Sequence, residues 1–190
     1  MKNTIQWETV LEKSLSRAKV ENKAIFLNFF NSQSVDCQKM DAVTYQNEAV
    51  IEFINQNVIP LRIASDQQAT AEKFNIHLTP ALLILDPNGK EHHPRTIGFL
   101  EAEELIASIL LGIGKMRYDR SEFKEAINSF SKLLAKHPEN DSAPEAAFLT
   151  GVSRFKSTHN PLALRETYEH LRRKYPRSSW TKRAYPYRLL

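Results

Sequence analysis

The stretch Ala24-Ile25-Phe26-Leu27-Asn28-Phe29-Phe30, followed by Asn31-Ser32-Gln33-Ser34-Val35-Asp36-Cys37, decides the reading of the fold. The first seven residues are apolar but for Asn28 and are bounded by polar clusters, the pattern of a short buried strand. Working toward the N-terminus, Ile5, Val10, Leu11, Leu15 and Ala18 fall at helical spacing and predict an amphipathic helix over 4–20, ended by Asn22-Lys23. Working toward the C-terminus, Met40, Val43, Val50, Phe53 and Ile54 predict a helix from Cys37 to about Asn55, kinked around Tyr45 to Glu48. A strand over 58–64, a helix over 67–74 and a strand over 81–85 follow. The turn Asp86-Pro87-Asn88-Gly89 then opens a hairpin into a strand over 91–99. A helix over 101–111, acidic in its first turn, closes the module. The order α-β-α-β-α-β-β-α predicts an α/β fold, a mixed sheet with helices on both faces.

The whole chain has 190 residues, with 42% apolar and 25% charged side chains, an ordinary globular composition able to bury a core without disulfides. A single cysteine excludes an intrachain disulfide, a zinc ribbon and a two-thiol redox motif within these residues. The start of the chain lacks an apolar run behind basic residues, and no stretch approaches about 18 consecutive apolar residues. The expectation is a cytoplasmic protein with no membrane partner. A chain whose export signal had been removed would read the same, which keeps the periplasm as the alternative.

The net charge of +4 is unevenly spread: residues 1–110 carry 10 basic against 14 acidic side chains, residues 111–190 carry 16 against 8. The break predicts two modules, 1–111 and 112–190. The second contains no strand pattern and looks internally repeated. Gly114-Lys-Met-Arg117-Tyr118 recurs as Gly151-Val-Ser-Arg154-Phe155 at an offset of 37. Phe130, Leu133 and His137-Pro138 recur as Tyr168, Leu171 and Tyr175-Pro176 at an offset of 38, which places a one-residue difference in the turn within each repeat. Such a period implies stacked helix pairs, expected near 111–119, 121–136, 142–157, 161–174 and 178–188. Gly112-Ile113-Gly114 is expected to join the modules.

The sequence Phe26-Leu27-Asn28-Phe29-Phe30, Ser34-Val35-Asp36-Cys37, and Thr79-Pro80-Ala81 through Asp86-Pro87-Asn88-Gly89-Lys90, with Gly98-Phe99, resembles the thioredoxin superfamily over residues 1–111. It is more similar to members that open with a helix carrying a Trp, here Trp7. Residues 112–190 resemble tetratricopeptide-like repeats, so the resemblance implies a thioredoxin-like fold followed by an all-α helical module. The family's first, nucleophilic cysteine sits at a helix N-terminus, where unpaired N–H groups stabilise a thiolate, and the second resolves the mixed disulfide. Here Ser34 holds the first position and Cys37 the second. A serine hydroxyl gives no anion without a strong base beside it. The resemblance also places Asn28 where the family has a proton-relaying Asp and Arg62 where it has a Lys, so the relay is absent. Thr79-Pro80 matches the family's cis-proline. It implies a groove of Ser34, Val35, Asp36, Cys37, Thr79 and Pro80 that pairs with an extended peptide through the backbone of residue 79.

Plainer readings stand beside these. Ser34 is a good N-cap, and a lone Cys37 is a small apolar residue before it is a nucleophile. Its reactive alternative is one-thiol exchange with glutathione or a partner's thiol. A serine engineered to trap a partner is a third reading, but Asp36 and Asn28 depart from the family as well.

His92-His93 on a strand point to opposite faces and do not chelate one ion. They are expected to be exposed, and no metal or cofactor is expected. Arg165, Arg172, Arg173, Lys174, Arg177, Lys182, Arg183 and Arg188 are interleaved with aromatics at core spacing. That face reads first as solvated, next as a contact for an acidic peptide or protein, and third as a nucleic-acid surface. Some of it could also dock on the acidic first module. The function expected is a non-catalytic protein- or peptide-binding module with a helical-repeat adaptor. The alternatives are one-thiol exchange at Cys37 and a structural subunit of a larger assembly.

Overall fold

The structure is a computed structural model that describes residues 4–93 and 95–190. The chain divides into two compact units, Met1–Ile106 and Ala107–Leu190. The first contains α1 (Leu11–Glu21), β1 (Ile25–Phe30), α2 (Val35–Ala42), a 3-10 turn (Thr44–Gln46), α3 (Glu48–Asn57), β2 (Ile59–Ala64), α4 (Gln68–Lys73), β3 (Ala81–Leu85) and β4 (Thr96–Ile97). The strands form one mixed sheet in the order β2-β1-β3-β4. β1 runs parallel to β2, with Ile25 opposite Ile59, and antiparallel to β3, with Ile25 opposite Leu85.

Both faces of β1 are buried, which is why its sequence reads as a continuous apolar run. Ile25, Leu27 and Phe29 face one side with Ile59, Leu61, Ile63, Leu83 and Leu85, against Leu11 and Ala18 of α1 and Ala71 of α4. By the two-residue period, Phe26, Asn28 and Phe30 face the other side. There Phe26 meets Trp7, with ring centroids 5.9 Å apart.

The expected helix over 4–20 begins only at Leu11. Residues before it are extended: the Glu8 amide donates to Pro60 O at 2.8 Å, and the Arg62 amide to Glu8 O at 2.9 Å. Glu8 thus bridges Leu61 in parallel beside β2, and Trp7 lies on this extended lead rather than in the helix. The expected kinked helix from Cys37 is two helices separated by the 3-10 turn. Asn47 caps the second, its Oδ1 accepting from the amides of Ala49 at 3.0 Å and Val50 at 3.3 Å.

The strand expected over 91–99 is reduced to Thr96–Ile97, paired with Leu82 and Ala81, and a lone bridge from Glu91 to Leu85. Pro94 within that span lies outside the described residues. The interruption comes where His92 turns inward. Its Nε2 lies 3.0 Å from Asp86 Oδ2, and the His92 side chain is only 3% exposed. His93 is half-buried, so the expectation of exposed histidines is wrong for both. Asp86 Oδ1 also accepts from the amides of Asn88 at 2.8 Å and Lys90 at 3.0 Å, and Gly89 closes the turn at φ +84°.

The second unit is helical: α5 (Ala102–Asp119, entered from the first unit), α6 (Phe123–Lys136), α7 (Ala143–Thr158), α8 (Leu162–Lys174), α9 (Ser179–Ala184) and a 3-10 turn (Tyr185–Leu189). The expected junction at Gly112-Ile113-Gly114 is not a loop, because α5 runs through it. Gly114 is needed for packing: the Phe130 ring lies where a Cβ at 114 would point, and Thr167 stands in the same relation to Gly151. The left-handed residues Ser121 and His159, which end the first helix of each pair, are 38 apart. His137 and Tyr175, the equally shaped ends of α6 and α8, are also 38 apart. The Tyr175 hydroxyl donates to Pro138 O at 2.8 Å, tying the two repeat ends together.

Candidate functional site

β1 delivers the chain to a tight loop. Asn31 Oδ1 accepts from the Gln33 amide at 2.9 Å, and the Ser34 amide donates to Asn31 O at 3.0 Å. This Asx turn places Ser34 as the N-cap of α2. Its Oγ accepts from the Cys37 amide at 3.4 Å. The same hydroxyl donates to the carbonyl oxygen of Thr79 at 3.1 Å. That acceptor is a carbonyl and no base, so nothing here converts Ser34 into an alkoxide.

Cys37, the expected candidate nucleophile, is 2% exposed. The Asn31 amide donates to its Sγ at 3.4 Å. The thiol is enclosed by the surrounding protein in this structure. Val35 and Asp36, by contrast, are exposed, Val35 to 76%.

Thr79 is half-buried, Pro80 is buried, and the peptide bond between them is cis. The Gly98 amide donates to Pro80 O at 3.0 Å. Around Thr79 the surface is apolar: Leu78 is 66% exposed and Ile97, on the edge strand β4, 44%. A cavity of about 200 Å³ opens beside them, lined by Ile76, Leu78, Ala81, Arg95 and Ile97. Arg95 fixes its wall by donating to Phe74 O at 2.6 Å and pairing with Glu91 at 2.7 Å. The structure therefore brings Ser34, Cys37, Thr79 and Pro80 together. Val35, Leu78 and Ile97 supply exposed apolar side chains.

Asn28 and Arg62 are register partners on β1 and β2, so both side chains start on the Trp7 side of the sheet. They do not bond to each other. Arg62 pairs with Asp41 of α2 at 2.8 Å and lies over the Phe30 ring at 4.0 Å. Asn28 is 1% exposed. A buried amide neither holds nor releases a proton near neutral pH, so the β1 position of Asn28 carries no acid. Asp41, Trp7 and Tyr45, which complete this layer, were not singled out as site residues. Trp7 and Tyr45 pack edge to face at 5.2 Å, a contact that no local spacing in the sequence announces.

Among the described residues no three His, Cys, Asp or Glu side chains group closely enough to hold a metal ion, and no helix is long and apolar enough to cross a membrane. In the helical unit, Arg173, Lys174, Arg177, Lys182 and Arg183 make no ion pair among the described residues, whereas Glu166 and Glu169 pair with Arg154 and Arg172. The interleaved aromatics mostly pack inward: Phe148 meets Trp180 at 5.1 Å and Tyr187 at 5.9 Å. Arg183 lies over Trp180 at 4.5 Å and Arg188 over Tyr185 at 3.7 Å. His170 beside them is held below the ordinary histidine range by desolvation and by the charges of Arg173 and Lys174.

A mixed sheet with a helix springing from the loop after β1, faced by Thr79-Pro80, defines a protein of the thioredoxin fold. The family model for the thioredoxin-like domain matches residues 11–111, and the chain belongs to that family. Over 109 residues it is 23% identical to the thiol:disulfide interchange protein DsbD of Ralstonia nicotianae, covering 55% of this chain and 18% of that protein. Over 102 residues it is 28% identical to the DsbD of Campylobacter jejuni, covering 52% and 18%. The chain thus spans under a fifth of the length of these curated relatives. Among solved structures, a proposed disulphide-isomerase of Bacteroides thetaiotaomicron superposes with a TM-score of 0.52 at 23% identity, covering 60% of this chain and 96% of that one. That likeness is one of fold.

Proposed function

We propose that the chain is a non-catalytic member of its family, a thioredoxin-like module that holds a protein or peptide partner without reacting with it, joined to a helical adaptor of tetratricopeptide type. One observation carries this reading: the nucleophile position is a serine whose hydroxyl is committed to Thr79 O and the Cys37 amide, while the one thiol is buried. The exposed Val35, Leu78 and Ile97 and the edge of β4 support a partner bound in extended form. The unpaired cations of α8 and α9 support an acidic partner for the adaptor.

The test combines turnover and thiol accessibility. With dithiothreitol as donor, the chain should not accelerate insulin reduction. Under native conditions Ellman's reagent should modify Cys37 far more slowly than it does in denaturant. Insulin reduction at the rate of a two-cysteine thioredoxin, or native Cys37 reacting as fast as the denatured thiol, overturns the reading.

A further inference from the structure

In the helical unit, α6, α7 and α8 border a cavity of about 300 Å³. Ala147 and Gly151 of α7 carry little or no side chain into it, and Leu134 of α6 supplies an apolar wall. Gly151 has to be small, because Thr167 of α8 stands where a Cβ at 151 would point. The rim is charged. Arg154 and Glu166 pair there at 2.9 Å, joining α7 to α8, and His170 completes it. The His170 ring meets Tyr175 in a T-shaped contact at 6.1 Å, and the Tyr175 hydroxyl donates to Pro138 O. The wall is thus anchored to the end of the preceding repeat, and the cavity is preformed.

Further along α8, Arg173 and Lys174 follow His170 at i+3 and i+4, the spacing that places side chains on one face. Their charges reach the His170 ring. Both are exposed, and neither forms an ion pair among the described residues. From Glu166 to Lys174 the helix runs about 12 Å, so a ligand that covers the cavity and these cations together is a chain segment and not a compact molecule. Inside the cavity the Arg154 charge is already met by Glu166, so the group that enters is apolar. Nucleic acid fits less well. Single-stranded bases stack on open aromatic faces, whereas no Phe, Tyr or Trp lines the cavity, and Trp180 and Tyr185 are covered by Arg183 and Arg188.

We propose that this face of the helical unit receives an acidic segment of a partner protein, with one large aliphatic or aromatic side chain filling the cavity and carboxylates lying along Arg173 and Lys174. The proposal rests on the adaptor role given above and names the chemistry of its partner. Burial of one large side chain supplies affinity, and the flanking charges supply direction and rate.

Short random peptides displayed on phage, selected on the full chain and counter-screened on Arg173→Glu/Lys174→Glu, test it. Both changes are at exposed positions, and circular dichroism verifies the fold of the variant. Peptides that bind the variant about tenfold more weakly should carry Asp or Glu around one Leu, Ile, Phe or Trp. Replacing that one residue by Ser should cost about tenfold or more. Binding to the unaltered chain should also shift the His170 ring signals in NMR spectra, a readout that does not depend on the variant. Peptides held equally by both proteins belong to the Thr79 groove, so finding only these overturns the cavity proposal and leaves the groove reading standing. Sensitive peptides that need no apolar residue, His170 signals that stay in place, or poly(U) shifting those signals to the same extent overturn it as well.

Discussion

The Ser34 hydroxyl joins two segments 45 residues apart: it donates to the Thr79 carbonyl oxygen at 3.1 Å and accepts from the Cys37 amide at 3.4 Å. A methyl group at this position can do neither. Ser34→Ala should therefore lower stability by about 1–2 kcal/mol through the lost cap and the abandoned carbonyl. Urea unfolding measures it, and a loss below about 0.3 kcal/mol would show that the bond contributes nothing.

Ser34→Cys restores a two-thiol motif with Cys37. The pair should oxidise to a disulfide yet reduce insulin sluggishly, because Asn28 has no proton to relay. Adding Asn28→Asp should quicken it. If Ser34→Cys alone matches an ordinary thioredoxin, the role given to Asn28 is wrong.

The Asp86 carboxyl is opposed by desolvation, but the His92 ring and the amides of Lys90 and Asn88 outweigh it and hold the carboxyl below its ordinary range. A depressed folded-state pKa adds stability that is present above the unfolded value of about 3.9 and is lost as pH falls through the folded one. The chain should lose this increment only below about pH 4, and Asp86→Asn should flatten that limb of the stability curve. An unchanged acid limb in the variant would refute the assignment.

Gly114→Ala drives a methyl group into the Phe130 ring. Overpacking of this kind costs about 1–3 kcal/mol even though alanine is the better helix former. Gly114→Ala combined with Phe130→Leu should recover part of the loss. Circular dichroism melts compare the two, and a single variant as stable as the parent would show that the contact yields freely.

His170 should titrate below the ordinary histidine value of about 6.5 by NMR, and Arg173→Gln should move it upward. With its folded pKa depressed, His170 adds stability above about pH 6.5 that is lost as pH falls through the folded value. A midpoint unmoved by Arg173→Gln would mean that the Arg173 charge takes no part, leaving desolvation and Lys174.

The strands were legible because burial on both faces leaves an apolar run that no surface segment shows, as in Ala81–Leu85. The repeats were legible through paired glycines and helix-ending prolines. Residues 4–10 misled because Ile5, Val10 and Leu11 fit a helical period by chance, while the pairing of Glu8 beside β2 is set by a strand some 50 residues away. Gly112-Ile113-Gly114 misled because a glycine needed for close helix contact looks, in one dimension, like a glycine needed for a bend. At the site, the Ser34-x-x-Cys37 motif and Thr79-Pro80 were legible, but the bond between Ser34 and Thr79 was not. Its partner is a backbone atom that every residue possesses. Asp41, the partner of Arg62, was hidden because a single half-buried carboxylate on a helix has no distinctive pattern.

The burial of Cys37 beneath Asn31 has one more consequence. A thioredoxin that works by thiols must be recharged by an electron donor after every encounter, so its availability follows the redox state around it. On the function proposed above, a module whose single thiol lies out of reach needs no recharging. Its occupancy would follow partner concentration and dissociation rate alone, in oxidising and reducing surroundings alike.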